Sequence, residues 1–275
     1  PGDRICRTAG DWFPLRAGTV ALRCLMRDDA ADAEAAGGVI DRIDAGLEKI
    51  FVRLPDGRSM CWRAAGEGPS LVLVHGGAGS WLHWIANVEA LSQDFRVIIP
   101  DLPGFGDSDP GPEPATLTAL AVDMMEGLHG LISRRQPINL AGFSLGGAVA
   151  ARFAAMRGEV SRVCLIGTAG TGTARREDAP LRSWRNAEGA ERQLVLRRNM
   201  LAHMLHREES ADRVGFEAYS RAVQAMTIRS RGLVKGWLVR DLVAMNDSPC
   251  FYLWGDADVT CTPTALPAAV ALRQQ

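Results

Sequence analysis

The chain has 275 residues, of which 47% are hydrophobic, and its formal net charge is −1. This length is sufficient for one large core with an insertion, and a near-zero charge creates no overall field that attracts nucleic acid or an anionic membrane. No apolar run reaches the roughly 18 residues that a membrane span needs, and the N-terminal residues lack a signal-peptide pattern. Composition therefore predicts a cytoplasmic protein that binds neither nucleic acid nor membrane.

Taken in chain order, the predicted elements begin after a long lead-in. Residues 1–48 show no sustained apolar period, so we predict a peripheral or poorly ordered segment there. A hairpin follows, with Asp56-Gly57 at its turn. Short apolar strands then alternate with amphipathic helices, and this alternation predicts an α/β fold with a doubly wound, mostly parallel sheet. The predicted strands are 71–74, 95–99, 138–143, 160–166 and 251–254, and the predicted helices are 82–91, 117–131 and 145–156.

The alternation stops between residues 168 and 247, where the sequence has helical spacing and no convincing strand. We interpret 168–247 as a helical cap inserted into a core formed by 49–167 and 248–275. Ligands of open α/β sheets bind at the carboxyl ends of the strands, so this insertion would form the roof of the site.

The most informative segment is an apolar strand that breaks into Gly-x-Ser-x-Gly, at 142–146, and continues as an Ala-rich helix. This arrangement is typical of a nucleophile elbow, in which a serine stands at the tip of a tight strand-to-helix turn. The positions two before and two after the serine are forced together, so Gly142 and Gly146 have no side chain. Backbone N–H groups at the start of the helix can stabilise an anion formed at Ser144.

Three further motifs accompany the elbow. His75-Gly76-Gly77 follows the first central strand, a Gly-rich loop at 101–108 follows the next one, and Gly255-x-x-Asp258 follows the late strand. With these four motifs in this order, the chain resembles the α/β-hydrolase fold superfamily over roughly residues 49–275. The resemblance implies a cofactor-free serine hydrolase with a helical cap. His75 is interpreted as a residue that shapes its loop rather than one that titrates.

The resemblance also implies a role for individual residues. Ser144 would attack an acyl carbon, and the backbone N–H groups of Leu145 and Gly77 would hold the resulting oxyanion. Asp258 would orient and charge-stabilise a catalytic histidine. It is preferred to Asp256 because it occupies the fourth place of Gly-x-x-Asp.

The histidine itself is missing from its expected place. It should follow the acid by about 25 residues, after one more helix and strand. Only 17 residues follow Asp258, and the last histidine of the chain is His206. Three interpretations stay open: a hydrolase truncated before its histidine, whose 275-residue chain is nearly inactive; a cap histidine, His203 or His206, that replaces the base; or a non-catalytic relative that binds a small molecule.

No other motif indicates a metal or a cofactor, because there is neither H-E-x-x-H nor a Cys/His cluster with ligand spacing. We therefore predict an esterase-like enzyme that cleaves a small, largely apolar ester, or a related acyl or C–C substrate, through an acyl-enzyme on Ser144. A serine nucleophile argues against dehalogenase and epoxide hydrolase chemistry. The predicted partners are the small-molecule substrate and a second copy of the chain, through homodimerisation or pairing along the apolar strand 250–254.

Overall fold

The computed structural model describes residues 30–111, 113–158, 160–170, 181–205, 207, 210–228, 232–234, 241, 248–255 and 258–260. Its strands are β1 (Glu48–Arg53), β2 (Ser59–Ala65), β3 (Ser70–Val74), β4 (Arg96–Pro100), β5 (Ile138–Phe143), β6 (Arg162–Ile166) and β7 (Cys250–Leu253). Its helices are α1 (Ala30–Ala45), α2 (Val88–Leu91), α3 (Leu117–His129), α4 (Leu145–Arg157), α5 (Gly189–His203) and α6 (Arg213–Ala225), with a 3₁₀ turn at Trp81–Trp84.

The seven strands form one sheet in the order β1-β2-β4-β3-β5-β6-β7. The pairs that β2 makes with β1 and β4 are antiparallel, whereas the strands from β4 to β7 pair in parallel. The predicted α/β class with a doubly wound, mostly parallel sheet is therefore confirmed. Because β3 and β5 are central neighbours, with Val74 opposite Gly142, the loops that follow these two strands meet at one edge of the sheet.

The core lies on both faces of the sheet, as expected for parallel strands that alternate with helices. Successive residues of β3 point to opposite faces: Val72 and Val74 belong to the cluster that contains α3 and α4, and Leu73 belongs to the cluster that contains Trp81 and Val88. The continuous apolar run of this strand follows from burial on both sides.

One predicted helix is wrong in its extent. The apolar spacing of residues 82–91 predicted a single helix, but the structure has the 3₁₀ turn and the short α2 with a break between them. The N–H groups of Ile85 and Asn87 bond the carbonyls three residues earlier, those of Leu82 and Trp84, so this stretch winds more tightly than an α-helix.

Helix α1 was not predicted from the sequence. Its Ile40 is buried in the same cluster as Ala218 and Ala222 of α6, and its Asp41 accepts a hydrogen bond of 2.6 Å from Arg221. Helix α1 therefore packs against a helix of the segment between β6 and β7. The division into lead-in, core and cap remains a prediction.

Helices α5 and α6 lie between β6 and β7 and form a small cluster of their own. Leu196 and Met200 of α5 pack with Tyr219 and Val223 of α6, and Ala78 in the loop after β3 packs against this cluster. The two helices thus lie next to the loop after β3, which carries His75-Gly76-Gly77. In the described part of the chain, no helix combines the length and the apolar character needed to cross a bilayer.

Candidate active site

Ser144 lies between β5 and α4 in a backbone conformation that residues other than glycine rarely adopt. Its φ is +53° and its ψ is −116°, and it is the single non-glycine residue with positive φ among the described residues. Such a conformation costs about 1–3 kcal/mol and persists where the surroundings enforce it. Here the Ser144 N–H donates to the Ile166 carbonyl at 2.9 Å, and the Ser144 carbonyl accepts from Gly147 and Ala169, each at 3.1 Å. The predicted strand-serine-helix turn is present.

The two glycines of the elbow have no room for a side chain. A Cβ on Gly142 would lie 2.4 Å from the Gly146 carbonyl oxygen. A Cβ on Gly146 would lie 2.3 Å from the carbonyl oxygens of both Val74 and His75. The absence of these two side chains therefore lets α4 start directly against the end of β3, and the half-buried serine lies at the carboxyl end of the central strands.

The glycine loop after β3 lies next to the serine. A Cβ on Gly76 would lie 3.2 Å from the Ser144 Cβ, so the loop and the elbow are in contact across this glycine. Gly77, the predicted oxyanion donor, is the next residue and is partly exposed. Leu145, the other predicted donor, is the first residue of α4, where backbone N–H groups have no partner within the helix.

His75 is buried and holds the loop from within. Its Nδ1 donates to the Gly76 carbonyl at 2.8 Å, and its Nε2 accepts from the Leu102 N–H at 2.9 Å. Both ring nitrogens are therefore used by the backbone. Burial lowers the pKa of His75 to about 4, against a smaller opposing effect of the Gly76 carbonyl, so the ring is neutral at physiological pH. These contacts agree with a shaping role rather than a titrating one.

Asp258 follows β7 and lies beside the segment that supports the elbow. Its Oδ1 accepts from the Thr260 N–H at 2.8 Å and from the Thr260 hydroxyl at 2.7 Å. Its Oδ2 lies 3.3 Å from the position of a Cβ on Gly167, and that Cβ would also lie 3.5 Å from the Phe143 ring. The structure thus brings Asp258 to the same end of the sheet as Ser144.

The histidines considered as bases are placed only in part. His203 is the last residue of α5, whereas His206 and Asp256 lie outside the described residues. Among the described residues, the hydrogen bonds to the Asp258 carboxylate come from Thr260. The identity of the base therefore stays a prediction.

The sequence analysis missed a histidine at the site. His83 lies in the 3₁₀ turn, and its Nδ1 accepts a hydrogen bond of 3.1 Å from the Gly76 N–H. Its ring stands edge-on to Phe143, with centroids 5.3 Å apart, and edge-on to His75 at 6.3 Å. The sequence around His83 has only an apolar, helix-like pattern, with a tryptophan on either side. Nothing in that pattern predicts a hydrogen bond to a glycine seven residues earlier.

A buried ion cluster beside the site was also missed. The Arg63 guanidinium, which is 2% exposed, donates to Asp101 at 2.9 Å, to Asp107 at 2.5 Å and to Asp44. Cys61, Asp101 and Asp107 bring potential metal-ligating atoms within 4.8 Å of one another. However, Arg63 already pairs with both carboxylates and Lys49 pairs with Asp107 at 2.7 Å, and burial raises the pKa of Cys61 to about 12, so its thiol stays protonated. We interpret the group as a structural ion cluster.

Comparisons with known proteins identify the family of the chain. A family model described as alpha/beta hydrolase fold matches residues 69–268. The chain is 38% identical over 121 residues to the dihydrolipoyllysine-residue acetyltransferase component of the acetoin cleaving system of Pseudomonas putida, which covers 43% of this chain and 32% of that protein. It is 37% identical over 97 residues to the pimeloyl-(acyl-carrier protein) methyl ester esterase of Vibrio atlanticus (strain LGP32). That match covers 35% of this chain and 34% of the esterase. The chain spans about a third of the length of these relatives.

A solved structure is similar over most of its length. The crystal structure of a membrane phospholipase A, described as a novel bacterial virulence factor, matches with a TM-score of 0.69 at 25% sequence identity. The match covers 89% of this chain and 82% of that one.

Proposed function

Because the chain belongs to the α/β hydrolase fold family, we propose that it is a serine hydrolase that acts on a small, largely apolar ester or a related acyl or C–C substrate. The observation that carries the proposal is the Ser144 backbone at φ +53°, which is retained at a cost and places the half-buried serine at a turn between two glycines that have no room for a side chain. A serine that served only to start a helix would not need this conformation.

The proposed reaction proceeds through an acyl-enzyme. The Ser144 hydroxyl oxygen bonds to the acyl carbon, and its proton passes to a general base and then to the leaving group as the bond to that group breaks. Water then cleaves the acyl-enzyme and restores the hydroxyl. The N–H groups of Gly77 and Leu145 would hold the oxyanion, and Asp258 would orient the base.

The names of the relatives support acyl chemistry. One is an acetyltransferase component, one is a methyl ester esterase and one is a phospholipase A. All three names refer to the transfer or cleavage of an acyl group, and none decides the substrate of this chain.

A fluorophosphonate probe tests the nucleophile. The Ser144 oxygen should displace fluoride and form a bond to phosphorus, and Ser144→Ala should abolish labelling. Ser133→Ala is the matched control, because Ser133 is exposed and lies after α3, away from the elbow. The readout is the labelled residue, identified by mass spectrometry of peptides. Labelling of Ser144→Ala at the unchanged level would show that the probe reacts at another residue and would contradict the proposal, whereas no labelling of the unaltered protein would favour a non-catalytic small-molecule binder.

A further inference from the structure

The backbone of Gly76 is held at both of its polar groups by histidine side chains. Its N–H donates to His83 Nδ1 at 3.1 Å, and its carbonyl accepts from His75 Nδ1 at 2.8 Å. Glycine has the greatest backbone freedom of any residue, so without such bonds this position would sample many conformations. The two imidazoles therefore determine how the loop turns beside Ser144.

Fixing the Gly76 carbonyl also fixes the following N–H group. The peptide between Gly76 and Gly77 is planar, and its carbonyl and N–H point in opposite directions. Since His75 holds the carbonyl on the buried side, the Gly77 N–H is directed away from His75. The direction of this proposed oxyanion donor thus depends on how Gly76 is held.

The His83 ring is itself fixed on several sides. It stands edge-on to Phe143, the residue before Ser144, and a Cβ on Gly79 would lie 2.1 Å from its Cε1. Ser80 caps the 3₁₀ turn that carries the ring through a 3.3 Å bond from the Leu82 N–H, and the Trp81 N–H donates to Asp101 at 2.7 Å. The ring is therefore a rigid acceptor rather than a mobile side chain.

We propose that His83 is a positioning residue for the oxyanion hole: its Nδ1 holds the Gly76 N–H and, together with the bond from His75 to the Gly76 carbonyl, fixes both sides of Gly76 and so the direction of the Gly77 N–H. The inference rests on the proposed function, since it assumes that an oxyanion forms at Ser144. Burial and the neighbouring His75 lower the pKa of His83 to about 3, so its Nδ1 lone pair is available to accept at neutral pH.

An arylboronic acid tests the inference without requiring turnover. Benzeneboronic acid adds the Ser144 oxygen to boron, the hydroxyl proton is lost to solvent, and the resulting tetrahedral anion resembles the proposed oxyanion. Benzyl alcohol carries the same ring and forms no such adduct. We therefore compare the affinity for both compounds by calorimetry and follow the tetrahedral boron by ¹¹B NMR in each variant.

His83→Phe keeps a ring and removes the acceptor. We expect it to weaken boronic acid binding by about tenfold or more, since losing one oxyanion donor outright costs about 10²–10³ in rate. Benzyl alcohol binding should change by less than about twofold, because the ground-state contacts are retained. His83→Asn, whose Oδ1 can occupy the place of Nδ1, should restore most of the affinity, whereas His83→Gln should not. His129→Phe is the matched control, because His129 ends α3 and contacts Arg157.

The outcomes separate this inference from the proposed function. A tetrahedral boron signal that survives Ser144→Ala, or is absent from the unaltered protein, overturns both. A signal that depends on Ser144 but is unaffected by His83→Phe overturns the positioning role alone, as does an equal loss of affinity for both compounds. If His83→Phe does not fold, as judged by thermal unfolding, the contrast between His83→Asn and His83→Gln decides, and equal affinities overturn the proposal.

Discussion

At the scale of single residues, the position of Ser144 depends on three glycines that surround it. Gly142, Gly146 and Gly76 each lie where a Cβ would approach an atom of the elbow or of the chain at the end of β3 within 2.3–3.2 Å. Because these glycines have no side chains, three segments of the chain can meet at Ser144. The hydrogen bonds of the Ser144 backbone then offset the strain of its conformation.

The buried, neutral His75 makes the stability of the protein depend on pH. Its folded pKa is about 4, compared with an ordinary value of 6.5, so between these values the unfolded chain binds a proton that the folded chain does not. The stabilisation is fully present above pH 6.5 and is lost as the pH falls towards 4. Lowering the pH from 6.5 to 5 should reduce the free energy of unfolding by about 2 kcal/mol on account of His75 alone.

Urea denaturation at several pH values between 5 and 7 measures this dependence. His83 titrates with the same sign, so the unaltered protein should lose more than His75 alone accounts for. The His75→Asn variant isolates the contribution of His75. As the pH is lowered, its free energy of unfolding should fall less steeply than that of the unaltered protein, and the two slopes should differ by up to about 1.4 kcal/mol per pH unit. Parallel curves for the two proteins in this pH range would show that folding does not lower the pKa of His75.

At the scale of secondary-structure elements, α1 connects two parts of the chain that are far apart in sequence. Its Ile40 packs on Ala218 and Ala222 of α6, and its Asp44 bonds the buried Arg63 of β2. A polar pocket of about 190 Å³ lies where these elements meet, lined in part by Asp44, Arg63 and Ala222. Helix α1 therefore holds α6 against the sheet.

Removing the apolar contact of α1 should loosen α6 as well. Ile40 is 2% exposed, and truncating such a residue to alanine typically costs about 2–5 kcal/mol. We expect Ile40→Ala to lower the free energy of unfolding by this amount and to increase amide hydrogen exchange in both α1 and α6. Asp41→Asn is the control, because the exposed Asp41–Arg221 pair contributes about 0–1 kcal/mol. Faster exchange in α1 alone would show that the two helices are stabilised independently.

The elements that could be predicted from the sequence are those whose signal is local. Strands β3, β5 and β6 are short apolar runs, and the elbow is a contiguous motif. Helix α1 was not predicted because it buries few large side chains. Its contacts with α6 join residues about 180 positions apart in the sequence. The hydrogen bond from the Gly76 N–H to His83 and the bonds from Arg63 to its three carboxylates also arise from tertiary structure, so residue spacing gave no indication of them.

At the scale of the whole molecule, the two outer strands of the described sheet differ in their chemistry. Strand β1 carries Phe51, which is 57% exposed, among the charged residues Glu48, Lys49 and Arg53. Strand β7 has no charged residue, and its Phe251 and Leu253 are 59% and 51% exposed. Charged side chains protect an edge strand from pairing with another chain, whereas an apolar edge without charge or proline favours such pairing.

We therefore expect the 275-residue chain to self-associate through β7. Replacing Phe251 by lysine should weaken association by about tenfold or more, since burying one such side chain contributes about 1.5–3 kcal/mol and the added charges repel each other. Phe51→Lys is the matched control: the side chain is similarly exposed, but its strand is already charged, so association should stay nearly unchanged. Sedimentation velocity over a range of protein concentrations measures both. A chain that stays monomeric throughout, or that responds equally to the two substitutions, would show that β7 is not the surface on which two copies meet.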